Sequence, residues 1–230
     1  MARRTWKRRL IFMALWLALI SAAAWGAIRY AQGWTPSREA YPVQGITVAA
    51  TNGPAEWRTL RAEGADFTYL RASSGASARD MAFETNLAGA REAGLRYGAL
   101  HHYSLCAPAS EQATLFIATV PRDPAMLPPA VDLDLTPNCG KRPGRATVLS
   151  ELNTFLNLIE AHSGKPALIR VSPEFEDLYK VAEGVNRTLW LEGNFISPDY
   201  AGRPWVVWTA SNIRRIDGLD TGVEWNVVRS

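Results

Sequence analysis

The segment Leu127–Thr136, L-P-P-A-V-D-L-D-L-T, restricts the fold more than any other stretch of this 230-residue chain. The Pro-Pro pair ends whatever precedes it, and the short apolar run that follows has the character of a buried strand. Side chains alternate along a strand, so Asp132 and Asp134 share one face while Val131, Leu133 and Leu135 take the other. Two adjacent carboxylates on a buried strand resist desolvation and repel each other. Such a pair is kept where catalysis or substrate binding, a structural polar network or a metal uses it.

The start of the chain is of a different kind. Arg3, Arg4, Lys7, Arg8 and Arg9 precede an uncharged run from Leu10 to Ile28, closed by Arg29. That run is close to the ~20 residues a membrane-crossing helix requires, and basic residues before it place the N-terminus in the cytoplasm. Ala22-Ala23-Ala24 also fits a signal-peptide cleavage site, but the apolar run continues past it to Trp25 and Ile28. The expected organisation is a basic cytoplasmic tail over 1–9, an anchor over 10–31, a polar linker over 32–44 containing Pro36 and Pro42, and one exported domain over 45–230. The formal charge is +3, and the five basic residues of the tail exceed that total, so the exported part is slightly acidic. With no basic stripe bearing interleaved aromatics, nucleic acid is not an expected partner. The two cysteines, Cys106 and Cys139, read most simply as a disulfide in an exported protein, joining loops that follow two predicted strands.

Beyond the linker, short apolar runs alternate with helical patterns. Strands are expected at 45–50, 66–72, 96–103, 127–136, 166–171, 188–192, 205–210 and 222–227, with helices at 56–63, 80–93, 110–120, 147–162 and 173–181. The clearest helix carries Leu149, Leu152, Phe155, Leu156 and Ile159 at helical spacing and stops at Gly164. Eight strands with about five helices predict an α/β fold, a modified (β/α) TIM-like barrel whose later helices are missing or short. In such barrels the site lies at the C-terminal ends of the strands.

Several chemistries are excluded by absence of their motifs. There is no G-x-S-x-G elbow, no phosphate loop ending G-K-[ST], no G-x-G-x-x-G, no H-E-x-x-H and no paired C-x-x-C. His101, His102 and His162 are the only histidines, so neither a histidine-based metal site nor any cofactor is expected. What remains is carboxylates at strand ends with tryptophan and tyrosine nearby. Glycosidic-bond cleavage uses that combination: one carboxyl protonates the leaving oxygen, another supports the oxocarbenium-like centre, and aromatic rings stack on sugar faces.

From Gly45 to Val228 the chain resembles glycoside hydrolase family 25 lysozymes, the N-acetylmuramidases. The family's opening G-I-D-V-S is similar to Gly45-Ile46-Thr47-Val48-Ala49, and its K-A-T-E-G to Arg71-Ala72-Ser73-Ser74-Gly75. Its A-G-L-x-x-G-A-Y-H-F resembles Ala93 to His102, its Q-A-x-x-F matches Gln112, Ala113 and Phe116, and its L-P-P-x-L-D-x-E looks like Leu127 to Asp134. The closing W-x-x-W-Q-Y-S and V-D-x-N resemble Trp205 to Ser211 and Val223 to Asn226.

The resemblance implies a modified (β/α) barrel that cleaves the β-1,4 bond after N-acetylmuramic acid in peptidoglycan glycan strands; a monomer is expected, reaching the inner membrane through the N-terminal helix read above. It assigns the proton donor to Asp134, where the family has Glu; Asp132 would orient the substrate acetamido group or stabilise charge, and Glu224 with it would position the acetamide or water. Thr47 replaces the family's first-strand Asp, and Glu224 lengthens its last. Drawing a catalytic carboxyl back by one bond, as Asp134 does, can cost ~10²-fold in rate. The chain is therefore expected to be a slowed or retuned hydrolase, or a glycan binder that kept the groove. Glu192 shares a strand face with Trp190 and could replace the carboxylate missing at Thr47. His101, Tyr103 and Trp190 are further candidate substrate contacts, His101 alternatively being a hydrogen-bonded core residue. Arg71 could pair with Asp132 or Asp134.

Overall fold

The computed structural model describes residues 2–135 and 139–229, in two units that divide between Trp34 and Thr35. The first unit is helix α1, Ala2–Gly33. Its segment Arg9–Gly33, whose most apolar 18-residue stretch has mean hydropathy 2.1, is long and apolar enough to cross a membrane.

The second unit is a barrel. Its strands are β1 (Val43–Val48), β2 (Phe67–Ser74), β3 (Ala78–Arg79), β4 (Arg96–His102), β5 (Ala130–Leu133), β6 (Leu168–Val171), β7 (Thr188–Glu192), β8 (Val207–Arg214) and β9 (Val223–Val228). Around the sheet they run β1-β9-β8-β7-β6-β5-β4-β2, and β1 pairs again with β2 to close a ring of eight, with two-residue β3 added at the end of β2. Within the ring, neighbours from β1 through β8 are parallel; β9 is antiparallel to both β8 and β1, and the two-residue β3 is antiparallel to β2. The reason is connection length. Only residues 215–222 join β8 to β9, too few for the dozen-residue crossover a parallel pair requires.

Among the described residues six α-helices accompany the barrel: α2 (Trp57–Ala62), α3 (Phe83–Glu92), α4 (Ala109–Thr119), α5 (Arg145–Ser163), α6 (Pro173–Tyr179) and α7 (Val181–Gly184). The helix expected at 173–181 is two, because Lys180 adopts a left-handed backbone (φ 45°) that ends one and caps the next. The expected linker also ends earlier. β1 begins at Val43, and residues 35–42 belong to the barrel unit: Arg38 bonds Asp66 and the Gly64 and Pro42 carbonyls, while Gln44 donates to the Pro36 and Tyr41 carbonyls. Asp66 immediately precedes β2, so this segment is fastened at the strand-start end.

Strand parity sorts the barrel interior by chemistry. At the strand-start end Phe67, Tyr69, Leu100, Ala130, Leu168, Trp190 and Val207 form one buried apolar cluster. Room for its rings comes from two glycines: a Cβ on Gly45 would lie 2.6 Å from the Phe67 ring, and one on Gly98 2.5 Å from the Tyr69 ring. Further along the same faces the side chains become charged, ending in Arg71, His102, Asp132, Arg170, Glu192 and Glu224. Alternate residues, among them Val131, Leu133, Ile169 and Val171, are buried in the outer layer. Cys106 and Cys139 form the disulfide, closing a loop with sequence separation 33. On chain entropy alone such a closure contributes about 3–4 kcal/mol.

Candidate active site

At the C-terminal ends of the parallel strands lies a cavity of about 240 Å³, lined by Arg71, His102, Asp132, Asp134, Arg170, Glu192, Glu224 and neighbouring Gly193, Asn194, Thr209 and Asn212. The charged side chains arrive by parity from the ends of several strands, the end of β5 supplying two of them. Asp132 comes from β5, Arg170 from the register-matched position on β6, Glu192 from the end of β7 and Glu224 from β9. Asp134 follows β5 and keeps the parity of Asp132; its Oδ1 accepts the Leu135 N–H at 2.7 Å. Thr136, the last residue of the expected strand, lies outside the described residues.

Arg170 is the centre of the site. Its two terminal nitrogens donate to both oxygens of Glu224 at 2.6 and 2.7 Å, and its Nε donates to Glu192 Oε1 at 2.8 Å. The same Nε lies 3.5 Å from Asp132 Oδ1. Side-chain exposure is only 7% for Arg170 and 8% for Asp132, so these charges act at low local dielectric. A buried guanidinium is tolerable because carboxylates surround it. Burial works against its charge, but Asp132, Glu224 and Glu192 together hold its proton more firmly than in water.

The carboxyls are not equivalent. Burial pushes Asp132 up, yet the Arg170 charge, the hydrogen bond from His102 and the charges of His102 and Arg71 outweigh it and hold the group well below the usual carboxylate range. Asp132 is therefore ionised, and the 2.8 Å contact to His102 Nδ1 carries its proton on the histidine. Glu192 goes the other way: burial, together with the negative charges of Asp132 and Glu224, exceeds the pull of Arg170 and raises it to about 6. Carboxyls pushed apart by their surroundings are the usual basis for dividing acid and charge-stabilising roles.

A neutral polar layer supports this cluster from below. Trp190 Nε1 donates to Thr209 Oγ1 at 2.8 Å, Thr209 Oγ1 to Asn226 Oδ1 at 2.8 Å, and Asn226 Nδ2 to Thr47 Oγ1 at 2.9 Å. Arg170 rests over the Trp190 ring, 5.5 Å from its centroid. Behind Glu192, the Tyr200 hydroxyl accepts the Glu192 N–H at 2.9 Å and donates to the Val171 carbonyl at 2.6 Å, tying the end of β7 to β6.

Asp132, Asp134, Glu192 and Glu224 thus share one cavity. Thr47, Trp190, His101 and Tyr103 do not line it. Thr47 and Trp190 lie in the supporting layer, and Trp190 is fully buried, with no ring face open to a sugar. His101 points outward: it is 0% exposed, its ring 4.8 Å from that of Phe155, with Nδ1 2.9 Å from Ser73 Oγ and Nε2 3.2 Å from Gln112 Oε1. Tyr103 has the same parity and packs edge-on against Phe155. The inward residue of the pair is His102, one position on. Arg71 lines the cavity but makes no ion pair within 4 Å among the described residues, and its Nε is buried without a hydrogen-bond partner.

Arg170 and His102 escaped the sequence reading. Arg170 has a visible signal, a lone cation inside the apolar run Ala-Leu-Ile-Arg-Val, whose parity sets it against Ile169 and Val171. The His101–His102 choice follows from the same alternation, since Gly98 and Leu100 face inward.

Burial of His101 lowers its pKa to about 4, despite the favourable Gln112 hydrogen bond. The unfolded chain takes up this proton near 6.5 and the folded one only near 4. This group's contribution to stability is therefore complete above pH 6.5 and lost as the pH falls through that window, in all on the order of 3 kcal/mol. Urea unfolding at pH 7 and pH 4.5 is expected to show wild type losing about 2–3 kcal/mol more than His101→Gln. Equal losses in the two proteins would contradict this.

A closed α/β barrel with acids and a buried arginine gathered at the ends of its parallel strands has the site of a barrel enzyme. The sequence signature of glycosyl hydrolases family 25 matches residues 46–219, and the chain belongs to that family. It is 27% identical over 194 residues to the uncharacterized protein YegX of Escherichia coli K12, covering 81% of this chain and 70% of that protein. It is also 29% identical over 119 residues to Lysozyme M1 of Streptomyces globisporus, covering 50% of this chain and 40% of that enzyme. Among solved structures, a family 25 glycosyl hydrolase from Bacillus anthracis superposes with TM-score 0.79 at 27% identity, over 86% of this chain and 92% of that one. The bacterial lysozyme from Streptomyces coelicolor shares the fold, with TM-score 0.74 at 23% identity over 82% and 92% of the two chains.

Proposed function

We propose that this protein is a peptidoglycan hydrolase of muramidase type, cleaving the β-1,4 bond between N-acetylmuramic acid and N-acetylglucosamine. Residues 10–31 hold it in the membrane, residues 1–9 stay in the cytoplasm, and the barrel works as a monomer on the extracytoplasmic side. The observation that carries this reading is the convergence of four carboxyl groups in one cavity at the strand ends of a family 25 barrel. Lysozyme M1, among its relatives, supports the same substrate.

The cavity has the parts that hydrolysis of a glycoside needs. Asp132, ionised and fixed by His102 and Arg170, supplies negative charge beside the oxocarbenium-like centre or accepts from the substrate acetamido N–H. Glu224 has both oxygens engaged by Arg170 and acts through that fixed charge. Asp134 and Glu192 each have an oxygen outside the described protein hydrogen bonds; so does Asp132, through Oδ1, but its neighbours hold it ionised, so proton delivery falls to Asp134 or Glu192. Thr47 supports the layer beneath and carries no charge.

A second reading is favoured by one feature: Arg170 engages three of the carboxyls, an arrangement that suits a protein holding glycan without cutting it. Full-length protein in detergent, incubated with purified peptidoglycan, separates the two. Release of new reducing ends is expected; sedimentation with the glycan and no reducing ends would replace hydrolysis with binding.

A further inference from the structure

We propose that Glu192, oriented by Arg170, is the proton donor to the glycosidic oxygen, in place of the residue-134 position to which the family pattern points. This deepens the hydrolytic reading and rests on it.

The four carboxyls differ in what they already bind. Both Glu224 oxygens accept from Arg170, at 2.6 and 2.7 Å. Asp132 accepts from His102 and lies against Arg170 Nε. Glu224 therefore has no free oxygen to aim at a substrate, and Asp132, although its buried Oδ1 has no hydrogen-bond partner, is held ionised by the charges of Arg170, His102 and Arg71. Glu192 makes one contact with Arg170, through Oε1. In its neutral form Oε1 is the carbonyl that accepts from Arg170 Nε, and the hydroxyl is left on Oε2 to donate. Asp134 uses one oxygen on its own chain, through the Leu135 N–H, and its shorter side chain stands at the position where the family has Glu. Glu192 has the longer reach and is braced from behind by Tyr200.

The charged groups of the cavity around Glu192 are Arg170 on β6, Asp132 on β5 with Asp134 just after it, Glu224 on β9, and beyond them His102 on β4 and Arg71 on β2; neighbouring β8 brings only the neutral Thr209 and Asn212. With burial, the two carboxylates favour its protonated form, at about 6. Arg170 limits that rise, so the group keeps a proton in mildly acid solution and can also release it. In the reaction the Glu192 proton passes to the bridging oxygen as the anomeric C–O bond breaks, the bonding electron pair leaving with the departing sugar. Water then adds to the anomeric carbon, and the proton it gives up restores the Glu192 carboxyl.

The test compares wild type, Glu192→Gln, Glu192→Asp and Asp134→Asn as full-length proteins in detergent, with thermal unfolding to confirm the fold. Substrates are purified peptidoglycan and an aryl glycoside of its disaccharide carrying a nitrophenol leaving group, which departs without protonation. On peptidoglycan, Glu192→Gln is expected to lose about 10²–10⁴-fold in rate, with partial recovery in Glu192→Asp and a less than tenfold loss in Asp134→Asn. Wild-type rate is expected to fall as pH rises through about 6, a limb missing from the residual Glu192→Gln activity. On the aryl glycoside, Glu192→Gln is expected within tenfold of wild type. A folded Glu192→Gln that keeps peptidoglycan cleavage within tenfold overturns the assignment, as does equal loss on both substrates. Wild type that releases no reducing ends overturns the hydrolytic reading, and this assignment falls with it.

Discussion

Replacing Arg170 with methionine is expected to lower unfolding free energy by about 3–5 kcal/mol at pH 7 and to abolish peptidoglycan cleavage. The guanidinium is 7% exposed and touches Asp132, Glu192 and Glu224. Methionine fills much of its volume, so the loss comes mainly from the charges left behind. Removing one partner of a buried ion pair costs more than the pair itself contributes, because the remaining groups stay desolvated and uncompensated. Here the remaining groups also repel one another. Their relief is to take up protons, which raises their folded pKa values above the unfolded ones. The penalty is therefore greatest at neutral pH and shrinks as pH falls below the raised values, the opposite of wild type, in which Asp132 is held low. Denaturant unfolding at pH 7 and pH 5 measures both the size and the sign. A second substitution, Glu224→Gln, is expected to recover part of the stability lost in Arg170→Met. An Arg170→Met protein as stable as wild type at pH 7 would mean that the cluster is solvated and that its charges do not act as one unit.

Asp132→Asn carries the second large effect, on rate rather than stability. Asparagine keeps the shape but removes the negative charge between His102 and Arg170 and sets an amide where a carboxylate had accepted. Stability is expected to fall by about 1–3 kcal/mol, as for one buried polar group left badly paired. Peptidoglycan cleavage is expected to fall about 10²–10³-fold, the usual scale for losing one preorganised electrostatic contact to a transition state. The two effects separate by measuring reducing-end release at a temperature where thermal unfolding finds the variant fully folded. A folded Asp132→Asn protein with wild-type rate would remove Asp132 from the chemistry.

Much of this architecture can be read in the chain because short-range patterns dictate it. The β7 residues 188–192 were placed to the residue, since Thr188–Glu192 has a turn on each side and few alternatives. Alternation placed Asp132 and Asp134 on one face, and both line the cavity. The family pattern located the acids of β5 and β9 although two of them had changed length. What it could not give was Arg170. One cation in a buried strand has no meaning until β5, β6, β7 and β9 are brought side by side, and those strands are as much as 54 residues from it in sequence. Of the two readings of His101, cleft contact or hydrogen-bonded core residue, the structure has the core one, for a related reason. A motif match ranks residues by identity, whereas burial is decided by parity, and in β4 the inward histidine is the next one. The antiparallel β9 was hidden because the order of strands along a chain does not specify direction; the eight-residue connection does.

The central claim is that the cavity around Arg170 hydrolyses the bond that follows muramic acid. Its most direct test is the identity of the reducing ends: peptidoglycan treated with the full-length protein, reduced with borohydride and hydrolysed to its sugars. Muramitol is expected to accumulate with time in wild type and to fall to background in Asp132→Asn. Glucosaminitol at the new ends, or intact strands that bind the protein without gaining any reduced sugar, would contradict it.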